Sequence, residues 1–536
     1  MTYEVENDII PFAIVMPERN GCPVLTEMNM VTNILEYLEL SAGRFPEKTA
    51  YFDEESEYTY GAVLKDAKAV GTALAALDQT GVPVVIYMEK TPLNMAAFWG
   101  VLYSRNFYVP VDTKMPGYRI SLIQENLDPY AVITDETNAE AAREKFQGRN
   151  ILLFSDLILT IPDDRLLQDI RNSALDTDPI YVLYTSGSTG VPKGVVVCHR
   201  SLIDYVEHFC REVGITDQDV IANQAPFYFD ASLIDIYCTL YSGATMGIVP
   251  ADYFTIPIKL LQFMQDHHIT TIRWVPSAMK MISTLRGFKT LRPDALRKVI
   301  FGAEAMPTKC YNYWRDNYPE AVFVQIYGPT EITGVCTYYI VDREFTNDET
   351  IPIGRAFGNT EVFLLDEQDR LIREANTIGE ICVKGTCLAH GYYNASEKTS
   401  EVFTQNPLQH HYPERIYRTG DLAQYNNLGE LIFSSRKDSQ IKHMGHRIEL
   451  GEIEAVVNSL PGIRTACCLF HKEKEKIVLF YESDEYDDVT LIEALQEKLL
   501  RYMMPNVMHR LESLPQTQNG KVDRMKLKRQ YLEGGE

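Results

Sequence analysis

No run of apolar residues in this 536-residue chain reaches the ~20 needed to cross a bilayer, so no transmembrane segment is expected. The opening stretch, MTYEVENDII, is acidic and lacks a basic segment followed by an apolar one, so no signal peptide is expected either. The ten cysteines form no C-x-x-C pair and no metal-ligand spacing; Cys467 and Cys468 are merely adjacent. Scattered, reduced, buried thiols in a cytoplasmic protein are the reading that fits. Positive charge is in short supply: 51 Lys and Arg against 74 Asp and Glu give a net charge of −23. That balance argues against a nucleic-acid partner, whose phosphates would repel it, and says little about fold. Repeats and low-complexity tracts are absent.

The chain is too long for one core, and two or more domains are expected. At 45% hydrophobic and 23% charged residues it has the make-up of a globular protein. Val31, Ile34, Leu35 and Leu38 fall at helical spacing and predict an amphipathic helix. Residues 82–88 (VPVVIYM) predict a buried strand, 94–105 a helix, 106–112 a strand, and 131–135 and 151–156 two more. Such alternation predicts an α/β architecture of layered, mostly parallel sheets with helices. Past residue 420 the texture changes. A turn at 426–429 precedes a short strand (430–434), a charged segment (434–447) and a helical run from Glu449 to Leu460. These, with a strand over 478–482 and a basic end, predict a small α+β unit. The boundary is expected near Asp438: residues 1–437 form the core, and 438–536 a mobile C-terminal domain.

Residues 181–197, YVLYTSGSTGVPKGVVV, hold the strongest signal. Two strand-like runs flank a loop, Thr185–Gly194, with three glycines, four hydroxyl residues and Lys193. Glycines let the backbone approach a ligand and adopt φ > 0. Exposed N–H groups, hydroxyls and one ammonium make a cradle for a polyphosphate. A Walker loop it is not, since Pro192 precedes the lysine and a strand follows.

The segment TSGSTGVPKG resembles the phosphate loop of the adenylate-forming superfamily, which includes acyl-CoA synthetases, luciferases and the adenylation domains of nonribosomal peptide synthetases. The resemblance implies nucleotide contacts from Thr185, Ser186, Gly187, Ser188, Thr189, Gly190 and Lys193. Five further segments match the family in order, so that the resemblance runs from about residue 58 to 524. In QIYGPTEITG (325–334) it assigns Tyr327 and Gly328 to the nucleotide, the Thr330 hydroxyl to a phosphate and Glu331 to Mg²⁺. One carboxylate suffices for that ion, which keeps its waters and binds substrate phosphates. In FGAEAMP (301–307), backbone groups at Gly302, Ala303 and Glu304 would face adenine. In YRTGDL (417–422), Asp421 would accept from both ribose hydroxyls.

The fifth match, SRKDSQIKHMGHRIELGEIE (435–454), is similar to the family hinge and the loop that follows it. Arg436 would touch the ribose, and Asp438 would be the pivot. Lys442 and Gly445 would belong to the loop that enters the site for thioester formation. Ser435 departs from the glycine many members have there. The last match, QNGKVDR (518–524), puts Lys521 where the family has the catalytic lysine of adenylation. Preorganised positive charge suits the charge that develops between an attacking carboxylate and the α-phosphate.

APFYFDASLIDIY (225–237) bears on the substrate. Amino-acid-activating members carry an aspartate here that pairs with the α-ammonium, and Asp230 occupies that position. A helix N-cap is the alternative role. The resemblance adds Ala231, Ile234, Arg273, Ile300, Gly302, Ile326, Gly334 and Val335 to the pocket. Arg273 would suit an acidic side chain or a narrow polar pocket, or would face solvent.

The implied activity is ATP- and Mg²⁺-dependent formation of an aminoacyl-AMP, then transfer to a phosphopantetheine thiol. The chain ends soon after Lys521, so that thiol is expected on a separate carrier protein. Both D-alanine:carrier-protein ligases and free-standing peptide-synthetase adenylation domains are similar in length. An acyl- or aryl-CoA ligase using free CoA is the alternative from the same family, and a catalytically silent scaffold the alternative from another class.

Overall fold

The structure, a computed structural model, describes residues 30–187, 190–438, 440–517 and 522–533. Ser188, Thr189 and Lys521 lie outside the described residues.

Two largely parallel sheets build the bulk of the chain. In the first, the strands Asn150–Leu153, Ala131–Thr134, Pro83–Tyr87, Phe107–Pro110 and Pro179–Thr185 run parallel. Lys193–Cys198 then returns antiparallel to Pro179–Thr185, and Gly391–Tyr392 closes that edge. The second sheet has nine strands. Its middle consists of Thr245–Ile248, Val220–Asn223, Thr271–Trp274, Lys298–Gly302 and Val322–Tyr327, all parallel. Interior strands buried on both faces need near-continuous apolar runs, and Pro83–Tyr87 is buried at every position.

The expected elements appear with shifted ends. The helix predicted from Val31 begins at Leu35, because Thr32 and Asn33 turn their N–H groups onto the Glu36 carboxylate instead. The strand predicted through Asp156 ends at Leu153, where a short helix, Phe154–Leu157, takes over. Lys193 opens a strand rather than sitting in the loop.

A third sheet is antiparallel, outside the parallel expectation. It includes Thr360–Leu365, Gly379–Gly385, Arg415–Tyr425 and Leu431–Arg436. Its last pairing sets Asp421 directly opposite Arg436.

Beyond Asp438 the chain makes a hairpin, Gln440–His443 with His446–Glu449, and a helix, Leu450–Asn458. A three-stranded sheet follows, Ile463–His471, Lys476–Ser483 and Val507–Arg510. Cys467, Val478, Phe480, Leu514 and Leu527 form a small core within this segment. Ile448, Ile453 and Leu479 instead belong to one apolar cluster with Val85, Val109, Val182 and Val196 of the first sheet. The C-terminal segment is thereby packed on the first sheet. Ser186, just past the C-terminal end of Pro179–Thr185, bonds to Arg447 of the hairpin, at the end where open α/β sheets gather their ligand-binding loops.

Candidate active site

The phosphate-loop strands, Pro179–Thr185 and Lys193–Cys198, pair in register from Tyr181↔Val197 to Thr185↔Lys193. At Gly187 a Cβ would lie 2.0 Å from the Val191 carbonyl oxygen, so only glycine lets the loop fold back. Its free N–H group donates to Glu452 Oε2 at 3.1 Å, across 265 residues of chain. Ser186 Oγ donates to the Arg447 carbonyl at 2.8 Å. Gly190 has φ +84°, and its position abuts Ala455. A loop suited to anions therefore receives a carboxylate from the C-terminal segment. Glu452 is 2% exposed. Burial pushes its carboxyl up, against the opposing pull of Arg119, with which it is paired.

Facing this loop is Tyr327–Val335. At Gly328 a Cβ would meet Val335 Cα at 2.5 Å, which keeps the turn tight. Glu331 is fully buried. Its Oε1 accepts from the Tyr392 hydroxyl at 2.7 Å, and its Oε2 from Arg447 Nη1 at 2.7 Å. Burial alone would raise this carboxyl; Arg447, Lys193 and Tyr392 outweigh it and hold it at about 2. Lys193 lies 5.2 Å above the Tyr392 ring, its ammonium lowered mainly by burial. Thr330 Oγ1 donates to Asp230 Oδ2 at 2.6 Å. Asp230 precedes the helix Ala231–Ser242 but makes no side-chain cap, so the N-cap role does not hold. Desolvation raises its carboxyl, with the Thr330 bond and Arg273 opposing.

The third sheet supplies Asp421, which is 1% exposed. Oδ2 accepts from Tyr327 Oη and Oδ1 from Arg436 Nη1, each at 2.6 Å. Arg436 also grips Asp438 in a two-pronged pair, Nε to Oδ1 at 2.8 Å and Nη2 to Oδ2 at 2.7 Å. Nearby, Ala303 has φ +68°, an uncommon conformation for a residue with a Cβ. Gly302 cannot be larger, since a Cβ would sit 2.5 Å from the Ile326 carbonyl.

The hairpin Gln440–Glu449 reaches into the space between these groups. Gly445, with φ +79°, donates its N–H to Glu304 Oε1 at 2.7 Å. A Cβ there would meet Val275 at 2.6 Å. Lys442 Nζ sits 5.1 Å over the Tyr327 ring and 5.8 Å over Phe433. Its ammonium is lowered by burial, with Asp421 opposing. The sequence expected Lys442 and Gly445 at the cleft, but gave no sign that Arg447 would take Glu331 or Glu452 the phosphate loop. Both contacts join residues more than 100 positions apart.

Of the pocket positions, Ile234, Ile300, Ile326 and Val335 share one buried cluster, and Ala231 is buried at the start of the helix. Gly334 has φ +100° and approaches the Asp230 carbonyl. Arg273 is buried at 6% exposure, so the solvent-facing alternative is corrected. It sits in the strand beside Ile300.

Glu331 fits a hard cation in its chemistry: an ionised, desolvated carboxylate facing the phosphate loop. Among the described residues no group of three or more His, Cys, Asp or Glu converges as a metal cage. An ion at Glu331 would therefore depend on substrate oxygens and water, as Mg²⁺ does. Arg447 occupies Oε2 in this arrangement, so ion and guanidinium exclude one another there.

These features define an α/β protein with a charged cleft bounded by two largely parallel sheets, an antiparallel sheet and a C-terminal segment. The chain belongs to the AMP-binding enzyme family, whose model matches residues 38–393. It is 30% identical over 516 residues to zwittermicin A synthase ZmaJ of Bacillus cereus, covering 92% of this chain and 94% of that one. It is also 30% identical over 496 residues to the L-proline--[L-prolyl-carrier protein] ligase of Streptomyces coelicolor, covering 88% and 91%. Tyrocidine synthase 1 of Brevibacillus parabrevis is 29% identical over 501 residues; this chain spans 92% of its own length but 45% of that protein. It spans 8% of tyrocidine synthase 3 of the same organism. In fold it is similar to an NRPS protein containing adenylation and PCP domains bound to a vinylsulfonamide inhibitor, with a TM-score of 0.78 and 24% identity over 93% of this chain and 84% of that one. The crystal structure of IdnL1 gives a TM-score of 0.76 and 26% identity, over 91% and 100%. No helix among the described residues is long and apolar enough to cross a membrane.

Replacing Arg447 by methionine leaves a buried carboxylate without its guanidinium, a change that costs about 3–5 kcal/mol for such pairs. The expected outcome is release of the hairpin. Amide hydrogen exchange over residues 440–449 should speed up by roughly 10²-fold or more, while Val322–Tyr327 keeps its protection. Unchanged exchange in the hairpin would show that this pair does not hold it.

Proposed function

We propose that this chain activates an amino acid with ATP as aminoacyl-AMP and passes the aminoacyl group to the phosphopantetheine thiol of a separate carrier protein. The observation that carries the reading is the bond from Thr330 Oγ1 to Asp230 Oδ2, one residue from Glu331. It sets a carboxylate suited to an ammonium beside the groups suited to a phosphate and its metal. Asp230 holds the substrate ammonium and so aims its carboxylate at the α-phosphate. An oxygen–phosphorus bond forms there, and the bond to the β-phosphate oxygen breaks, releasing pyrophosphate. Thr330 and Lys193 hold phosphate oxygens, Asp421 and Arg436 the ribose, and the Gly302–Glu304 turn the adenine. Lys521 supplies charge to the adenylation transition state. Mg²⁺ at Glu331 neutralises phosphate charge when bound.

The second step needs different groups at the same place. Residues 438–536 turn about Asp438 against residues 1–437 and bring in the hairpin with Lys442, Gly445 and Arg447. The thiol attacks the acyl carbon and AMP leaves. The relatives with carrier-protein or synthase names support this reading, as does Asp230, which suits an ammonium and not an acyl chain. The primary test is amino-acid-dependent ATP–pyrophosphate exchange across an amino-acid panel, followed by loading of a carrier protein against free CoA. Exchange without any amino-acid dependence would remove the reading, and CoA as the better acceptor would favour a CoA ligase.

Two variants separate the half-reactions. Lys521→Ala should lower exchange by about 10²-fold or more, the scale of one preorganised charge contact. It should leave thioester formation from supplied aminoacyl-AMP far less affected; equal losses would contradict the role. Asp438→Pro fixes φ near −65° and restricts the residue before it. Since Asp438 also binds Arg436, Asp438→Ala is the control for the lost carboxylate. Proline should hold one orientation, the adenylating one. Exchange should stay within a few-fold of the alanine control while carrier loading falls by an order of magnitude or more. Parallel losses in both assays would place the pivot elsewhere.

A further inference from the structure

The second-sheet strand Thr271–Trp274, the first-sheet strand Pro179–Thr185 and the helix His199–Val213 each contribute a buried donor with nothing to donate to: Arg273, Tyr181 and Tyr205. Arg273 is 6% exposed, yet its Nε has no hydrogen-bond partner. No carboxylate among the described residues lies within ion-pair distance of its guanidinium. Asp230, Asp235 and the Tyr205 hydroxyl share its electrostatic surroundings. Tyr205 and Tyr181 are 3% and 0% exposed, and both hydroxyls lack partners. Tyr181 in turn lies in the field of Asp230, and Tyr205 in that of Tyr181.

Neighbouring groups do not quench this excess. Asn223, next to Arg273 by strand register, gives its amide N–H to Asp235 Oδ2 at 2.8 Å. Asp235 Oδ1 and Asn223 Oδ1 remain unpartnered. Burial pushes the Asp235 carboxyl up to about 7, although Arg273, Asn223 and Lys90 oppose it, so near neutral pH it is a weak counter-ion. Burial likewise lowers the Lys90 ammonium to about 7, with Asp235 opposing. Asp230 already accepts from Thr330 and, on the proposed reading, is committed to the substrate ammonium. A guanidinium stays charged in proteins. Leaving it buried and unpaired is among the costlier arrangements a fold can hold.

We propose that the activated amino acid has an anionic side chain, a second carboxylate, which takes the Arg273 guanidinium and the Tyr181 and Tyr205 hydroxyls as its donors. This rests on the adenylation reading above. The two ends of the substrate are then told apart by charge. Asp230 draws the ammonium, Arg273 draws the side-chain carboxylate, and the α-carboxylate is left facing the phosphate site. An amide of the same shape would bring a neutral group to a buried charge and forfeit the ion pair.

The test is pyrophosphate exchange with aspartate, glutamate, asparagine, glutamine, leucine and lysine. A dicarboxylic amino acid should exceed its own amide by about 10²-fold or more in kcat/KM, as expected of a site whose buried donors would otherwise stay unpaired. Aspartate against glutamate reads the side-chain length. Arg273→Met should bring that ratio to within a few-fold of unity, and Tyr205→Phe, which keeps the ring, should lower it several-fold. Should Arg273→Met not fold, the wild-type ratio and Tyr205→Phe still decide. Best exchange with an apolar, amide or cationic amino acid overturns this assignment and leaves the adenylation reading standing. Exchange with no amino acid at all removes both.

Discussion

The Glu331 carboxylate is the constraint around which the cleft is organised. It is fully buried and ionised, so each oxygen must be satisfied by a donor or a cation. Tyr392 satisfies one and Arg447 the other. A buried ion pair adds little net stability, because desolvation offsets most of the attraction. Its effect is conditional: taking one partner away is expensive, so the hairpin leaves cheaply only when another cation replaces Arg447. Position in this part of the molecule is therefore set by charge balance and not by apolar contact alone.

Much of this was legible in the sequence wherever one short segment carries its own constraint. Gly187, Gly302, Gly328 and Gly445 cannot hold a Cβ without striking a carbonyl, a backbone atom or Val275. Their loops can be recognised from residue type alone. The buried strands at 83–87 and 131–134 announce themselves as unbroken apolar runs. Contacts chosen by topology were not legible. Arg119 with Glu452, Glu331 with Arg447, and Gly187 with Glu452 join positions far apart in the chain, and nothing local marks the partners. The same holds for Tyr181 and Tyr205. Each reads as an ordinary core aromatic until the structure shows its hydroxyl without an acceptor. Element ends also escaped, as at Leu153, where the next residues gain more from a helical turn than from another rung of sheet.

Asp230, Thr330 and Glu331 link the two polar regions of the site. The Thr330 hydroxyl spends its proton on Asp230, so its lone pairs face away from that carboxylate. Filling the Asp230 site with an ammonium would relieve the carboxylate of its need for this proton and free the hydroxyl to donate elsewhere. On the proposed reading, substrate binding on one side would thus change what Thr330 can offer on the other. The rigid turn at Gly328 fixes Thr330 for both uses.

The charges that the C-terminal segment brings to the cleft are opposite in sign to the groups it meets. Glu452 lies on the Gly187 N–H of a loop built for phosphate, and Arg447 lies on the carboxylate suited to a metal. A carboxylate and a guanidinium thereby stand where a polyphosphate oxygen and its cation would otherwise be. Neither group reaches Asp421 or the Ala303 turn, where ribose and adenine are proposed to bind. The hairpin as placed puts Gly445 on Glu304 and Lys442 over Tyr327, and the segment it leads leaves no place for an anion at the Gly187 N–H. On the proposed chemistry, entry of the hairpin has to follow departure of pyrophosphate together with its metal. The contacts made on entry, Arg447 on Glu331 and Glu452 on the Gly187 N–H, would then take up the carboxylate and the donor that this departure exposes. The order of the half-reactions would then be written into the charge pattern of one cleft, with the Asp438–Arg436 pair as the tether between the two arrangements.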